Sequence, residues 1–266
     1  MALYDDGDTT KVAHLARARQ LEEQLGPGQF FSHETAAAFW GLPIHIAAET
    51  PLSVGSLRGY TRMRRAGVQA MSFTPDLADV TRRGISLIMS PRAVWAETAP
   101  RLPLADAIAL GDAILHRPRI GGSAKLSRPP FCTPDELYEA ISLPYRRHKP
   151  LLLERFALLT PHSASAPETH LRLALTQWGF APEALDFDVR AQNGTFLGCS
   201  EIAYPSRRLA LEYEGDHHRV SRRQWHRDLR KYADYTAAGW RVLRVTAHML
   251  YREPRVLRAH VTDLLR

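Results

Sequence analysis

The stretch LALEYEGDHHRVSRRQWHRDLRKYADYTAAGWRVLRVT, residues 209–246, decides the fold of the C-terminal part of the chain. In residues 209–214 four apolar or aromatic side chains are interleaved with Glu212 and Glu214, which predicts a largely buried strand, and WRVLRVT predicts a second strand. The long polar segment between them ends at Gly239, which is typical of a helix stop. A crossover through a helix makes the two strands parallel neighbours in one sheet.

The residues before this stretch predict a helix followed by a hairpin. SAPETHLRLALTQWGF begins with Ser165 and Glu168 at the spacing of a capping box. FDVRAQNGTFLGCSEIAYP predicts two strands around Asn193-Gly194, the dipeptide that most strongly indicates a tight hairpin turn. Together with a closing helix, residues 161–266 are predicted to form an α/β (α+β) domain, a mixed sheet flanked by helices.

The N-terminal part predicts a separate, mainly helical domain with a few short strands over residues 1–125. Residues 9–25 have helical spacing of apolar side chains, and FFSHETAAAFWGLPI predicts a short helix behind an N-cap serine. Segment 117–132 is rich in Pro, Gly, Ser and Arg and marks a boundary. A helical connector is predicted over 126–160, with a capping box at 133–136.

The composition indicates a full hydrophobic core and a basic surface. Of the 266 residues, 45% are hydrophobic and 24% are charged, and the formal net charge is +7. This balance favours an anionic partner such as nucleic acid without requiring one. We expect a cytoplasmic, soluble protein with no membrane partner, because there is no long apolar run and no signal-peptide pattern. Cys132 and Cys199 form no disulfide framework or zinc motif.

Positive charge is concentrated just after the strand at 209–214. The predicted nucleic-acid-binding residues of this segment are His217, Arg219, Arg222, Arg223, Arg227, Arg230 and Lys231. His218 is a further candidate for phosphate contact or proton transfer, because histidine titrates near neutral pH. The alternative interpretation is a solvated basic helix face preceded by exposed loop histidines.

Glutamates stand in the body of the predicted strands. Glu212 and Glu214 lie two residues apart and share one face of their strand, and an adjacent hairpin strand would bring Glu201 alongside them. Three carboxylates on one patch repel each other unless a cation lies among them, and Mg²⁺ prefers oxygen ligands. We therefore predict that Glu201, Glu212 and Glu214 hold Mg²⁺ or Mn²⁺, which would activate water at a phosphodiester. The alternative is a solvated face or salt bridges with arginines.

Glu168 has two interpretations. As the third residue after Ser165, it serves the capping box for purely local reasons. If its helix packs at the same end of the sheet as the other acids, it becomes a fourth member of the catalytic set.

Residues 163–250 resemble the restriction-endonuclease-like domain of unknown function related to the very-short-patch repair endonucleases, a branch of the PD-(D/E)XK nuclease superfamily. The resemblance lies in SAPETHLRLAL, GCSEIAYP, LEYEGDHH and RDLRKYADYTAAGWRVLRVT. It implies a nuclease fold in which the catalytic residues are Glu168, Glu201, Glu212, Glu214 and His218. Glu201 replaces the usual Asp, and Glu214 stands where the superfamily has lysine. A cation from the following helix, Lys231 or Arg230, would substitute for that lysine.

The N-terminal part resembles, more loosely, a region that precedes this domain in proteins related to AbiEi-type antitoxins. The matching text is FFSHETAAAFWGLPI and PLADAIALGDAIL. Those relatives usually begin with a winged helix-turn-helix, which this chain is expected to lack because little sequence precedes Phe30.

Three functions follow as hypotheses. The first is a metal-dependent nuclease acting on nucleic acid, DNA in preference, in DNA repair, phage defence or a toxin–antitoxin setting. The second is a catalytically inactive module that binds nucleic acid or a toxin or defence protein, as an antitoxin-like regulator. The third is a regulator that binds DNA through residues 30–80, where TAAAFWGLP is similar to the first half of a helix-turn-helix.

Overall fold

The computed structural model describes residues 6–215 and 222–266, with side chains described from residue 9 and, after the gap, from residue 229. The chain divides into two compact units. The N-terminal unit comprises residues 1–116 and 130–161, and the C-terminal unit comprises residues 117–129 and 162–266. The mixed α/β class predicted from the sequence is confirmed, since each unit contains a mixed sheet with helices.

A five-stranded sheet organises the N-terminal unit. Its strands are β1 Gln29–Phe31, β2 Leu52–Leu57, β3 Val68–Phe73, β4 Val80–Arg83 and β5 Ser86–Met89. Their spatial order is β3-β2-β1-β5-β4. The β1–β5 and β2–β3 pairs are parallel, and the β1–β2 and β4–β5 pairs are antiparallel. These five short strands thus form one layer.

Helices pack on this sheet around a core that includes the fully buried Trp95 and Phe31. The helices of the N-terminal unit are α1 Asp6–Glu22, α2 His33–Trp40, α3 Pro75–Ala78, α4 Pro91–Thr98, α5 Leu104–Leu115, α6 Pro134–Ser142 and α7 Lys149–Phe156. The predicted capping box begins α6, where Thr133 and Glu136 exchange side-chain to backbone hydrogen bonds. Among the described residues, no helix combines the length and the apolar character needed to cross a bilayer.

The C-terminal unit has the helix and strand order that the sequence predicts as far as its last strand, after which two helices stand where one closing helix was expected. Its elements are α8 Ala166–Gln177, β6 Ala184–Arg190, β7 Phe196–Tyr204, β8 Leu209–Glu214, α9 Arg222–Ala237, β9 Arg241–Thr246, α10 Ala247–Tyr251 and α11 Pro254–Leu265. The sheet order is β6-β7-β8-β9, antiparallel except for the parallel β8–β9 pair. The crossover through α9 therefore makes β8 and β9 parallel, as the sequence predicts.

The two faces of this sheet carry different cores. Leu209 and Leu211 of β8 pack with α8 on one face, while Ala210 packs with Tyr235 of α9 on the other. Because side chains alternate along a strand, Glu212 projects to the same face as Ala210 and α9. Glu212 thus lies on the face of the sheet that α9 covers.

Candidate active site

Three glutamates from three elements of the C-terminal unit form one electrostatic cluster. Glu168 lies in the first turn of α8, Glu201 on β7 and Glu212 on β8. The antiparallel register pairs Ile202 with Leu211, which places Glu201 beside Glu212. The hairpin adjacency inferred from the sequence accounts for this contact. We call these three residues the carboxylate cluster.

Two members of the cluster, Glu168 and Glu212, are buried, and Glu201 is partly buried. Only 4% of Glu212 and 8% of Glu168 is exposed. Burial raises the pKa of Glu201 well above its ordinary value, and the negative charges of Glu168 and Glu212 raise it further. Burial also raises the pKa of Glu168, with a smaller contribution from Glu212. Because each acid opposes ionisation of its neighbour, the site favours a bound proton or a cation over three negative charges.

Hydrogen bonds from the backbone and from a serine hydroxyl orient Glu201 and Glu168. Oε2 of Glu201 accepts from the Tyr213 backbone N–H at 2.7 Å. Oε2 of Glu168 accepts from the Ala164 N–H at 2.8 Å, and its Oε1 accepts from the Ser165 hydroxyl at 2.8 Å. Ser165 caps α8, but the Glu168 carboxylate accepts from the Ala164 N–H and the Ser165 hydroxyl instead of the Ser165 N–H that a full capping box uses, and Glu168 also belongs to the cluster.

Lys231 brings positive charge to the cluster from α9. Its Nζ lies 2.8 Å from Oε2 of Glu212. Gly198 on β7 makes this approach possible, because a Cβ at that position would lie 3.1 Å from Cγ of Lys231 and 3.0 Å from the Tyr235 hydroxyl. Of the two residues considered for a cation from this helix, Lys231 reaches Glu212 and Arg230 is exposed; which of them substitutes for the superfamily's lysine stays a prediction.

Tyr235 adds a polar group that the sequence analysis missed. The side chain is fully buried, and in the part of the chain that the structure describes its hydroxyl has no hydrogen-bond partner. The Nζ of Lys231 lies 5.5 Å from the centre of its ring. Burial raises the pKa of Tyr235, and the charge of Glu212 adds to this effect, so the hydroxyl remains a hydrogen-bond donor. A buried donor of this kind indicates a water or ligand atom at the cluster.

Glu214 has different contacts from Glu212. Its carboxylate forms an ion pair with Arg244 on β9, and the Arg244 guanidinium lies 5.5 Å from the ring centre of Tyr232. The structure therefore brings Glu201 and Glu212 together with Glu168, and it gives Glu214 an arginine partner instead. A role for Glu214 in metal binding stays a prediction.

The basic residues predicted to contact phosphate are only partly described. His217, His218 and Arg219 lie outside the described residues, so their predicted roles stay predictions. Arg222, Arg223 and Arg227 are placed on α9 by their backbone alone. Of the predicted cations with described side chains, Lys231 reaches the carboxylate cluster and Arg230 lies on the surface.

The donor chemistry of the cluster suits a hard divalent ion, since carboxylate oxygens are the ligands that Mg²⁺ and Mn²⁺ prefer. Within the described ranges, however, no three His, Cys, Asp or Glu side chains converge on a single point as metal ligands. The ammonium of Lys231 meets Glu212 instead. The carboxylates are thus suitable ligands for a divalent metal ion. To bind one together, the glutamate side chains would have to reorient.

A second network beside the cluster was also missed. Arg119 comes from segment 117–129, and its guanidinium forms ion pairs with Asp186 at 2.8 Å and Asp188 at 2.9 Å. Asp186 has a left-handed backbone, φ +48°, which is uncommon for a residue other than glycine. The free thiol of Cys199 donates to Asp186 at 2.8 Å, and burial raises its pKa, so it stays protonated. The sequence feature that could have indicated this network is the pair Asp186 and Asp188, two residues apart on β6.

The Arg119 network borders the carboxylate cluster electrostatically. The charge of Asp186 contributes to the raised pKa of Glu168, behind burial and Glu212. Arg119 in turn lowers the pKa of Asp188 through its hydrogen bond. Segment 117–129 therefore holds the two aspartates of β6 next to the cluster.

Comparison with protein-family models, with curated proteins and with solved structures finds no match to this chain.

Proposed function

We propose that the C-terminal unit is a divalent-metal-dependent nuclease that hydrolyses phosphodiester bonds of nucleic acid, with DNA favoured as substrate. The observation that carries this proposal is the meeting of Glu168, Glu201 and Glu212 from three separate elements. Buried acids that raise one another's pKa are costly for stability, and such costs are concentrated at functional sites. The nuclease resemblance of residues 163–250 agrees with this assignment.

Each residue of the site has a distinct task in this proposal. Glu201 and Glu212 would hold Mg²⁺ or Mn²⁺, and Glu168 would complete the negative charge that attracts the ion. Once bound, the ion would acidify water and neutralise charge developing on the phosphate. Lys231, whose ammonium lies 2.8 Å from the Glu212 carboxylate, would donate a hydrogen bond to a phosphate oxygen of the substrate.

The proposed activity is tested by incubating the full chain with supercoiled plasmid in EDTA, Mg²⁺ or Mn²⁺. We expect nicked or linear products in either metal and intact plasmid in EDTA, because the acids alone provide no positive charge for the phosphate. Cleavage that persists in EDTA, or its absence in both metals on duplex and single-stranded substrates, would contradict the proposal.

Tyr235 is predicted to donate a hydrogen bond to the ligand that occupies the cluster. Tyr235→Phe is expected to lower the cleavage rate about 10- to 100-fold, the effect of losing one hydrogen bond to a charged group. Its melting temperature should not fall, because the hydroxyl has no partner among the described residues. The measurements are plasmid nicking rates and thermal melts of the same preparations.

Tyr204→Phe is the matched control for this prediction. The Tyr204 hydroxyl donates to the Phe180 carbonyl, and its ring packs in the core on the α8 face. This variant should lose about 1 kcal/mol of stability and keep its cleavage rate. A Tyr235→Phe protein that melts earlier and cleaves normally would assign Tyr235 a structural role only.

A second candidate function is favoured by the Lys231–Glu212 ion pair. An ammonium 2.8 Å from the most buried carboxylate neutralises charge without a metal. The C-terminal unit would then be an inactive module that binds nucleic acid or a partner protein, as in an antitoxin-like regulator. Such a module would bind nucleic acid in a salt-sensitive way that is indifferent to Mg²⁺ and to Glu212→Gln, which separates it from the nuclease.

A further inference from the structure

The connection between β2 and β3 is unusually short for two parallel strands. These strands are paired from Leu52 with Val68 to Leu57 with Phe73, so residues 58–67 return the chain along the full length of β2, about 17–20 Å. Parallel neighbours usually need a dozen or more residues, most often with a helix. Here residues 58–67 make the return through turns and irregular backbone, without a helix. We call residues 58–67 the arginine loop.

The backbone of the arginine loop is fixed to the N-terminal unit. The ring of Tyr60 lies against Gly28, where a Cβ would come within 2.5 Å of the ring. Gln29 donates a side-chain hydrogen bond to the Thr61 carbonyl at 2.8 Å. Met63 is partly buried against the hydrophobic core. These contacts hold the middle of the loop, and strand pairing holds its two ends.

The charged side chains of the loop are all cations. The sequence from residue 50 to residue 75 contains four arginines and no Asp, Glu or Lys. Arg65 donates a hydrogen bond to Gln24, which lies just after α1, whereas Arg58, Arg62 and Arg64 are exposed. Within residues 6–215 and 222–266 as described, none of these three forms an ion pair with an acid. A fixed backbone thus presents three guanidinium groups that no acid with a described side chain neutralises.

We propose that the arginine loop binds the phosphate backbone of nucleic acid. A guanidinium group donates two parallel hydrogen bonds to a phosphate, which the ammonium of lysine cannot do. A loop that is already fixed does not lose backbone freedom on binding. Because the contacts are made to phosphates, binding is steeply salt-dependent and indifferent to base sequence. It does not require cleavage by the C-terminal unit.

The test uses the full chain and a fluorescein-labelled DNA duplex of mixed sequence, in EDTA so that metal-dependent cleavage does not occur. Anisotropy titrations over a range of salt compare the wild type with Arg58→Gln/Arg62→Gln/Arg64→Gln. We expect affinity near 0.1 M salt to fall at least about ten-fold. The slope of log K against log salt concentration should become shallower by about 3, because each arginine that binds a phosphate contributes about 1 to it.

A charge-matched control is available in the C-terminal unit. Arg252→Gln/Arg255→Gln/Arg258→Gln removes the same charge from exposed positions at the end of α10 and on α11. This variant should keep the wild-type affinity and salt slope. Circular dichroism of both triple variants verifies that the fold is retained.

Several outcomes would overturn phosphate binding by the arginine loop. If both triple variants lose the same affinity, binding depends on net charge alone. If the arginine-loop variant binds the duplex as tightly as the wild type, the loop does not contact the DNA. Failure of the wild type to bind the duplex at low salt would also overturn it. So would displacement of the duplex by polyglutamate at equal charge concentration. Plasmid cleavage in Mg²⁺ is measured separately, so failure of the nuclease leaves these results interpretable.

Discussion

Glu212→Gln is expected to reduce metal-dependent plasmid nicking at least about 100-fold, to the level seen in EDTA, while leaving the fold intact. The physical reason is that Glu212 is the member of the carboxylate cluster that meets Lys231, at 2.8 Å, and lies beside Glu201 across the β7–β8 pair. Glutamine has nearly the same shape, but it has no negative charge to bind a divalent ion. Catalysis that depends on the ion is therefore lost with the charge.

Glu214→Gln is the matched control, because it removes one carboxylate from the same strand two residues away. Glu214 is paired with Arg244, and we expect this variant to retain cleavage within a few-fold of the wild type. Nicking rates of both variants are compared at equal protein concentration in Mg²⁺ and Mn²⁺. Equal loss of cleavage in both would mean that Glu214 shares the site after all, and unimpaired cleavage by Glu212→Gln would remove Glu212 from the mechanism.

Glu201→Gln is expected to stabilise the protein at pH values above neutrality. Burial and the charges of Glu168 and Glu212 raise the pKa of Glu201 well above the ordinary value of 4.5. The folded state therefore holds a proton over a pH range in which the unfolded chain has lost it. The contribution of Glu201 to the free energy of unfolding is therefore fully present below pH 4.5 and is lost as the pH rises through the folded-state pKa. Each pH unit by which the pKa of Glu201 in the folded state exceeds that in the unfolded state corresponds to a loss of about 1.4 kcal/mol in the free energy of unfolding at high pH.

The experiment compares melting temperatures of wild type and Glu201→Gln from about pH 5 to about pH 8 in EDTA. Glutamine keeps a carbonyl oxygen that can accept the Tyr213 N–H, so the geometry of the pair is preserved. We expect the variant to gain stability relative to the wild type as the pH rises. A constant difference across this range, or a variant that becomes the less stable protein at high pH, would show that Glu201 ionises without penalty.

The fold of the C-terminal unit is largely predictable from sequence because its signals are local. Asn193-Gly194 indicates the β6–β7 hairpin, and Gly239 ends the run that became α9. The N-terminal sheet is different, since β1 has only three residues and pairs with β2 and β5. A strand this short has too little periodicity to be recognised, and its partners lie far along the chain.

Only some contacts of the candidate site can be predicted from the sequence. The adjacency of Glu201 and Glu212 follows from the hairpin and from side-chain alternation, both of which can be read from the sequence. The partner of Glu214 depends on where Arg244 of β9 falls in the sheet, which only the structure shows. Tyr235 and Arg119 reach the site because α9 and segment 117–129 pack against the sheet, and no local pattern specifies that packing.

The most direct measurement is a titration of Mn²⁺ into the full chain near neutral pH, followed by electron paramagnetic resonance, which reports the free ion. The wild type and Glu214→Gln are predicted to bind Mn²⁺ with similar affinity. Glu212→Gln and Glu201→Gln are predicted to bind Mn²⁺ at least about ten-fold more weakly, since each removes one carboxylate ligand from a divalent ion. Wild-type protein that binds no Mn²⁺, or equal binding by all four proteins, would contradict a metal site at Glu168, Glu201 and Glu212.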